Sequence, residues 1–379
     1  MKYIYILLPV LLLTGCVKRY EVEFEGKTPG LKNGVFIVKT TDDSTIYGEN
    51  IKDGKFYVKK HALKYPGYYL MNITSSDSAD TRPAFEIYLE SGKYSIETEM
   101  GKLYKYPKIT SPSKIQEQLS AYNNMSDRLI SDEMDDAKKL NDELNTKEKS
   151  LSKAAFSALL NKVSEASDKL RNTGFIALKQ FVKTYPQTEV SAHLMGKLHY
   201  EDDPAAYYDL YKSFSPAAKN SDDGKDIGAK LSRLIKLVPG AKAPVIYGKT
   251  AAGKPFDPKT INAKVILVDF WRADNELSRR NHQNLIDFLS GFKKPGKFAI
   301  VSVSIDTKAD WWITAISDDH MTWPQVSDLK GDDSPNAANW DITKIPTYYL
   351  VDGQWNIMER DIDISKIDLE VNDYLKKHP

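Results

Sequence analysis

The chain has 379 residues, and a usual domain size of about 100 to 200 residues favours two or three domains. Its 53 Lys and Arg residues nearly balance 52 Asp and Glu residues, and hydrophobic residues make up 41% of the sequence. This composition is typical of a globular protein with a sizeable core. Because the charges balance, the chain has no basic field, and this argues against nucleic acid as a partner.

The N-terminus carries an apolar run from Ile4 to Leu13. This run is too short to cross a bilayer in a mature protein, so it predicts a signal peptide over residues 1–15. The segment Leu-Thr-Gly-Cys that ends at Cys16 resembles the bacterial lipobox. The resemblance implies that Cys16 becomes lipid-modified, whereas an ordinary signal peptide or an uncleaved anchor is the alternative.

Cys16 is also the only cysteine of the chain. Two or more fatty chains on this residue would anchor the protein stably, at about 0.8 kcal/mol per buried CH₂. We therefore expect a lipid-anchored protein of the bacterial cell envelope that faces the periplasm from the outer membrane. A lipidated Cys16 leaves no free thiol, so the mature chain can form no disulfide although this compartment permits them.

Residues 16–110 alternate and turn like a small antiparallel β domain. Asp53-Gly54 and Ser91-Gly92 lie between the predicted strands and predict tight hairpin turns. Together with Pro66-Gly67, these turns resemble an uncharacterised β-sandwich domain of the DUF4369 type, which precedes thioredoxin domains in envelope lipoproteins. The resemblance implies an architecture and no chemistry. Runs rich in β-branched and aromatic residues predict the strands, at 34–38, 56–58, 68–70 and 85–89.

Residues 111–238 have a helical pattern. Between Pro112 and Thr173 there is neither Gly nor Pro, and apolar residues recur at helical spacing. The pattern predicts two long amphipathic helices that fold back near Asn145-Thr146, with Ser111 or Ser113 as the first cap. We expect shorter helices to follow three prolines, each in a first helical turn: Pro186, Pro204 and Pro216.

In residues 239–379, predicted strands alternate with predicted helices, which is typical of an α/β domain. All six tryptophans of the chain lie here, from Trp271 to Trp355, and this shift in composition supports a boundary near residue 239. We predict helices at 276–289 and 309–318. The predicted strands are 265–270, 298–305, 347–351 and 356–360.

Three motifs of this last region resemble thioredoxin-like proteins of the membrane-anchored ResA and TlpA type, with their relatives of the AhpC/TSA type. Val268-Asp269-Phe270-Trp271 resembles the strand with the buried acid, and Lys344-Ile345-Pro346-Thr347 resembles the cis-proline loop. Asn275-Glu276-Leu277-Ser278 occupies the place of the redox Cys-x-x-Cys. The resemblance implies a thioredoxin-like fold, so the whole chain is predicted to be a multidomain α+β protein. Its parts would be an N-terminal antiparallel β-sandwich, a helical middle region and a C-terminal α/β domain.

The substituted turn predicts the loss of redox chemistry. Thiol-disulfide exchange needs an attacking thiolate and a resolving thiol, which neither the Asn275 amide nor the Ser278 hydroxyl can replace. The turn would instead be structural, with Asp274 or Asn275 as a helix cap. Asp269 would be a relic acid whose pKa is raised by burial. We therefore expect no catalytic residue in this turn and no enzyme activity.

The cis-proline loop of the resembled family offers backbone groups to an extended peptide, and this surface does not depend on cysteine. We therefore predict a binding or assembly module for a peptide or an envelope protein. Its binding residues would be Trp271, Asp274, Asn275, Ile345, Pro346 and Thr347. Two alternatives remain: a thiol-disulfide oxidoreductase or peroxidase-family protein, and a structural lipoprotein whose C-terminal domain is a spacer.

Other site chemistry has little support in the sequence. Ser278 and His282 are one helical turn apart, with Asp269 near them in the inferred fold, and a Ser/His nucleophile is an alternative that would need an orienting carboxylate. The six histidines show no metal-ligand spacing, and no glycine-rich phosphate motif is present. We therefore expect neither a metal nor another cofactor.

Overall fold

The computed structural model describes residues 20–76, 84–147, 151–292 and 296–378. The predicted signal peptide and Cys16 lie outside the described residues. The chain divides into two compact units between Leu194 and Met195. The finer boundaries predicted at residues 110 and 238 stay predictions. No helix in the described ranges is both long enough and apolar enough to cross a membrane.

The first unit begins with a single mixed sheet of eight strands in the order β6-β5-β2-β3-β4-β1-β7-β8. Alternate residues of each strand point inward, and side chains from strands all along this order share one core, so the sheet is curled. Phe24 and Phe36, for example, pack there with ring centroids 5.2 Å apart. The strands are β1 (Tyr20–Lys27), β2 (Asn33–Lys39), β3 (Thr45–Lys52), β4 (Lys55–Leu63), β5 (Gly67–Ser75), β6 (Phe85–Leu89), β7 (Gly92–Glu97) and β8 (Lys108–Thr110).

One of the two predicted hairpins of this sheet is confirmed. Asp53 and Gly54 both have positive φ, 48° and 70°, and join the antiparallel strands β3 and β4 in a two-residue turn. The prediction at Ser91-Gly92 is wrong, because β6 pairs with β5 whereas β7 pairs with β1 and β8. The β1 and β7 strands run parallel, so Gly92 carries the chain across to a different part of the sheet.

Two long helices follow, as predicted: α1 (Lys114–Lys147) and α2 (Lys153–Thr184). Of the two candidate caps, Ser113 accepts a hydrogen bond from the backbone N–H of Gln116 at 3.3 Å. The helices reverse a few residues later than predicted, since α2 starts at a cap formed by Ser152. Tyr122 donates to the Gly174 carbonyl at 3.3 Å and joins the two helices.

Four shorter helices lie between α2 and the second sheet: α3 (Val190–Gly196), α4 (Pro204–Lys212), α5 (Pro216–Asn220) and α6 (Asp222–Leu234). Pro204 and Pro216 open their helices behind the caps Asp203 and Ser215, as predicted. Pro186 does not, because α3 begins only at Val190 after a turn in which the Thr188 N–H bonds to the Tyr185 carbonyl.

The second unit contains a six-stranded sheet in the order β14-β13-β10-β11-β12-β9. The central strands β10, β11 and β12 are parallel, and β13, β14 and β9 are antiparallel to their neighbours. All six tryptophans belong to this unit. The elements are β9 (Lys249–Thr250), β10 (Val265–Trp271), α7 (Glu276–Ser290), β11 (Phe298–Ser304), α8 (Ala309–Asp318), β12 (Gln325–Ser327), α9 (Pro335–Asn339), β13 (Thr347–Asp352), β14 (Ile357–Arg360) and α10 (Ile367–Lys377).

Strand β10 is buried along its whole length because the sheet is covered on both faces. Ile266, Val268 and Phe270 contribute to one core, and Val265, Leu267 and Trp271 contribute to the other. Asp269 therefore points into the second of these cores, beneath α7. The mixed α+β fold class predicted from the sequence is confirmed.

Candidate functional site

The turn between β10 and α7 caps the helix. Asn275 is the N-cap of α7, and its Oδ1 accepts from the Ser278 N–H at 2.8 Å, so Asn275 rather than Asp274 caps the helix. The Ala273 N–H donates to both oxygens of Asp306 at 3.1 Å, and the Ala273 carbonyl accepts from Arg279 at 3.3 Å. These bonds hold the loop ahead of the helix from both sides.

The loop ahead of β13 contains a cis peptide bond between Ile345 and Pro346, as predicted. Thr347 donates its hydroxyl to the Lys344 carbonyl at 2.6 Å and closes the loop. The Ile345 carbonyl accepts only a long bond, 3.4 Å, from the Asn275 amide. Within the described ranges the Ile345 N–H forms no hydrogen bond. The N–H and the carbonyl of Ile345, which belong to two successive peptide units, are therefore nearly free to pair with another chain.

A cleft of about 410 Å³, called here the first cleft, separates the turn from this loop. Of the predicted binding residues, Asp274, Asn275 and Ile345 line it. Trp271 and Thr347 are buried, at 0% and 4% exposure, and do not line the cleft, so their roles in binding stay predictions. Pro346 is half-buried and does not line the cleft. The remaining lining residues are Arg272, Asp332, Ile342, Thr343 and Lys344.

The first cleft is polar. Arg272 forms an ion pair with Asp332, and Lys344 pairs with Asp361 at 2.7 Å, whereas Asp274 forms no ion pair within the described part of the chain. Ion pairs this close to solvent contribute little stability and can exchange partners. The cleft is therefore suited to a polar main chain rather than to an apolar ligand.

A second cleft of about 370 Å³ lies on the other side of Asp274, between the starts of α7 and α8. Its most exposed apolar group is Trp311, 48% exposed, whose ring holds the Lys308 ammonium 3.9 Å from its centroid. Leu277, 47% exposed, is a further large apolar side chain on the first turn of α7. Exposed apolar side chains beside a polar cleft are common on surfaces that bind partners.

The predicted relic acid Asp269 is fully buried beneath α7. Burial raises the pKa of Asp269, against the opposing effects of His282 and of the Ser302 hydroxyl. Ser302 donates to Asp269 Oδ2 at 2.7 Å and itself accepts from the Trp323 indole N–H at 2.8 Å. The side chain of Asp269 is thus fixed in place while one of its oxygens, Oδ1, has no hydrogen-bond partner in the described residues.

Sequence reasoning missed the groups that hold His282. Its Nδ1 lies 2.6 Å from Asp319 Oδ2, and Arg279 donates two hydrogen bonds to the same carboxylate, at 2.5 and 2.6 Å. Partial burial would raise the pKa of Asp319, but the bonds from Arg279 and His282 outweigh it and lower this pKa. Asp319 lies 37 residues beyond His282, and only the Asp318-Asp319 pair after an apolar helix could have drawn attention to it.

The alternative of a Ser/His nucleophile is not assembled. His282 does have an orienting carboxylate, Asp319, but its other nitrogen, Nε2, points to Asp269 at 3.7 Å. The Ser278 hydroxyl oxygen is buried and forms no hydrogen bond to His282 or to any other described group. A nucleophile needs both access and a base within hydrogen-bond distance. Among the described residues no group of three His, Cys, Asp or Glu side chains could hold a metal ion.

Comparison with known proteins identifies the type of domain around this site. A family model described as thioredoxin-like matches residues 262–357. A search of the curated proteins finds no match to the chain.

Several solved structures are similar to the chain. A thiol-disulfide oxidoreductase from Bacteroides fragilis is 25% identical, with a TM-score of 0.33 over 35% of this chain and 98% of that one. A thiol:disulfide interchange protein from Bacteroides sp. is 30% identical, with a TM-score of 0.33 over 37% of this chain and 90% of that one. A thioredoxin-like protein from Bacteroides caccae is 16% identical, with a TM-score of 0.46 over 57% of this chain and 82% of that one. The family match and the β10 to β14 sheet agree, and the C-terminal part of this chain is a thioredoxin-like domain.

Proposed function

We propose that this chain is a lipid-anchored protein of the bacterial envelope whose thioredoxin-like domain performs no thiol-disulfide exchange and binds an extended peptide or protein segment in the first cleft. The anchor would be Cys16, and the domain would face the periplasm. The observation that carries the binding proposal is that the backbone N–H and carbonyl of Ile345, in the loop ahead of β13, are nearly free to bond.

The absence of redox chemistry is supported by the content and placement of sulfur. The only cysteine, Cys16, lies outside residues 262–357, which match the thioredoxin-like family. At the head of α7, where a thiolate would be stabilised by the helix N-terminus, Asn275 uses its side chain as the cap. Neither Asn275 nor the buried Ser278 can accept electrons from a dithiol.

Peptide binding is supported by main-chain geometry. A partner segment that lay along the loop could donate an N–H to the Ile345 carbonyl and accept the Ile345 N–H, as an added strand does at a sheet edge. The bond from the Asn275 amide to this carbonyl is long at 3.4 Å and would be easily displaced. Asp274 and Leu277, exposed beside the cleft, would then contact side chains of the segment.

The binding proposal is tested with a library of unstructured decapeptides displayed on phage and selected against the purified chain carrying Cys16→Ser. Thr343→Trp would fill the first cleft, and we expect it to weaken the selected peptides at least about tenfold. Thr314→Trp, which places the same side chain in the second cleft, is the matched control and should change affinity less than about twofold. Equal effects of both variants, or a library that yields no binder, would refute the proposed site.

A thiol-disulfide oxidoreductase is the second candidate, and the retained buried acid Asp269 favours it. Such an activity would require cysteines from another protein. The purified chain should therefore not accelerate insulin reduction by dithiothreitol. Acceleration that persists in the Cys16→Ser variant would show that the domain takes part in the reaction without a thiol of its own, contrary to the proposal.

A further inference from the structure

Four ionisable side chains form a connected cluster next to the first turns of α7: Asp269, His282, Asp319 and Arg279. The Asp269 and His282 side chains are each 1% exposed, and their Oδ2 and Nε2 atoms are 3.7 Å apart. On its other side, His282 contacts Asp319, whose side chain is 13% exposed and which also binds Arg279. The four groups therefore form a line from the centre of the domain to its surface.

The geometry favours one proton on the Asp269 and His282 pair, carried by either partner. His282 Nδ1 must carry a hydrogen, because it contacts a carboxylate that already accepts from Arg279. If Nε2 carried none and Asp269 were ionised, a lone pair would face a buried carboxylate with no counter-charge. A buried, unpaired charge is strongly destabilising. One proton, placed either on Nε2 or on Asp269, removes this conflict.

Among the residues that the structure describes, no other group around Asp269 is placed to provide that proton. Tyr348 faces Asp269 from β13, but burial and the nearby carboxylate raise the pKa of Tyr348, and its hydroxyl interacts with Asn281. Ser302 faces Asp269 from β11 and already donates its only hydroxyl hydrogen to Oδ2. The remaining charged groups, Arg279, Asp318 and Asp319, interact with one another on the outer side of His282.

Both walls of the first cleft are attached to this cluster. Helix α7 carries Asn275 at its start, and His282 and Arg279 in the following turns. Strand β13 begins directly after the cis-proline loop, and its Tyr348 accepts a hydrogen bond from Asn281 of α7 at 3.0 Å. A change in the repulsion between Asp269 and His282 would therefore move α7 relative to the loop that contains Ile345.

We infer that Asp269 and His282 share one buried proton, and that its release at raised pH weakens peptide binding in the first cleft. The regulatory part of this inference depends on the proposed peptide-binding function. Binding should weaken at raised pH because loss of the proton leaves two electron-rich atoms opposed. Their repulsion pushes α7 away from β10. A peptide that binds the protonated form better must, by reciprocity, raise the affinity for the proton.

The shared proton is tested without any ligand by NMR of the full chain carrying Cys16→Ser, with ¹⁵N-labelled histidine, from about pH 5 to pH 9. We expect one titration step of the Asp269 and His282 pair, seen in the ring ¹⁵N shifts of His282, that Asp269→Asn shifts or removes. His199→Gln, which changes an exposed histidine outside the cluster, should leave that step unchanged. A step that Asp269→Asn leaves unchanged, or ring ¹⁵N shifts that stay constant over the whole range in the wild-type protein, would overturn the inference.

The regulation is tested by titrating a library-selected peptide over the same pH range. Affinity should fall about tenfold across the step in the wild type and in His199→Gln, and should be independent of pH in Asp269→Asn, whose amide imitates the protonated acid. An affinity that is equal across the step would overturn the regulatory part while leaving the proposed function intact. If no peptide binds at any pH, the proposed function and its regulation both fail, and the NMR result alone decides the shared proton.

Discussion

The turn at Asn275 and the cluster at Asp269 lie on opposite sides of the first turns of α7, and they differ in how completely their polar groups are bonded. At the turn, the Asn275 side chain, the Ala273 peptide groups and the Asp306 carboxylate all have partners. In the cluster, Asp269 Oδ1 and His282 Nε2 have none among the described residues. The turn contributes stability, whereas the cluster reduces it, which is a common property of functional sites.

The largest effect is expected when cysteines are introduced at the two positions where the resembled family has its redox pair. The double variant Asn275→Cys and Ser278→Cys, with Cys16→Ser, places thiols at a helix N-terminus that faces the cis-proline loop. We expect it to accelerate insulin reduction by dithiothreitol from no measurable rate to a clear one. The single variant Asn275→Cys lacks a resolving thiol and should stay inactive. If the double variant holds two reduced cysteines and is still inactive, the turn does not have the geometry of a redox site.

The next largest effect is expected from removing the charged side chain of Arg279, which lies at the surface end of the cluster. Arg279→Met removes two hydrogen bonds to Asp319 and one to the Ala273 carbonyl, and should lower the free energy of unfolding by about 2 kcal/mol. Arg280→Met changes the neighbouring, exposed side chain and should alter the free energy of unfolding by less than about 0.5 kcal/mol. Urea denaturation followed by tryptophan fluorescence measures both, and equal values for the pair would contradict the role of Arg279.

Asp269→Asn should stabilise the protein at neutral pH, by about 1 kcal/mol. The pKa of Asp269 is raised in the folded protein, so the folded state binds the proton more tightly than the unfolded state. The contribution of Asp269 to the free energy of unfolding is therefore fully present below its unfolded pKa of 3.8. It is lost as pH rises through the pKa of Asp269 in the folded protein. The gain in the variant should appear only in that upper range. Thermal unfolding across pH checks this, and a variant that is less stable at pH 7 would mean that charged Asp269 is well compensated.

The smallest effect separates the two roles of Asn275. Asn275→Ala removes the cap and should destabilise the second unit by about 1 kcal/mol. Asn275→Ser keeps a capping oxygen and should destabilise it by only about a few tenths of 1 kcal/mol. Both variants remove the amide bond to the Ile345 carbonyl, so both should bind a selected peptide at least as well as the wild type. Weaker binding by both would show that the amide contacts the peptide rather than competing with it.

Much of the second unit could be predicted from local sequence, because its signals are local. The start of α7 follows from Asn275 as a cap ahead of an amphipathic run, and β10 follows from its continuous apolar residues. The cis bond at Pro346 followed from a motif of four residues. The burial of Trp271 and Thr347 could not be predicted in this way, since a strand covered on both faces has no polar side.

Contacts between distant parts of the sequence could not be predicted. The parallel pairing of β1 with β7 joins segments about 70 residues apart, and a turn such as Ser91-Gly92 predicts a reversal without specifying which strand the chain then pairs with. The contact between His282 and Asp319 similarly depends on where α8 ends above the sheet. Both features are set by tertiary packing rather than by periodicity.

The confinement of all six tryptophans to the second unit gives the molecule a built-in optical label. Indole emission will report the melting of the thioredoxin-like part alone, while circular dichroism follows both halves. If the two signals lose amplitude at the same denaturant concentration, the units unfold as one cooperative block; if they separate, each unit is a thermodynamic entity of its own.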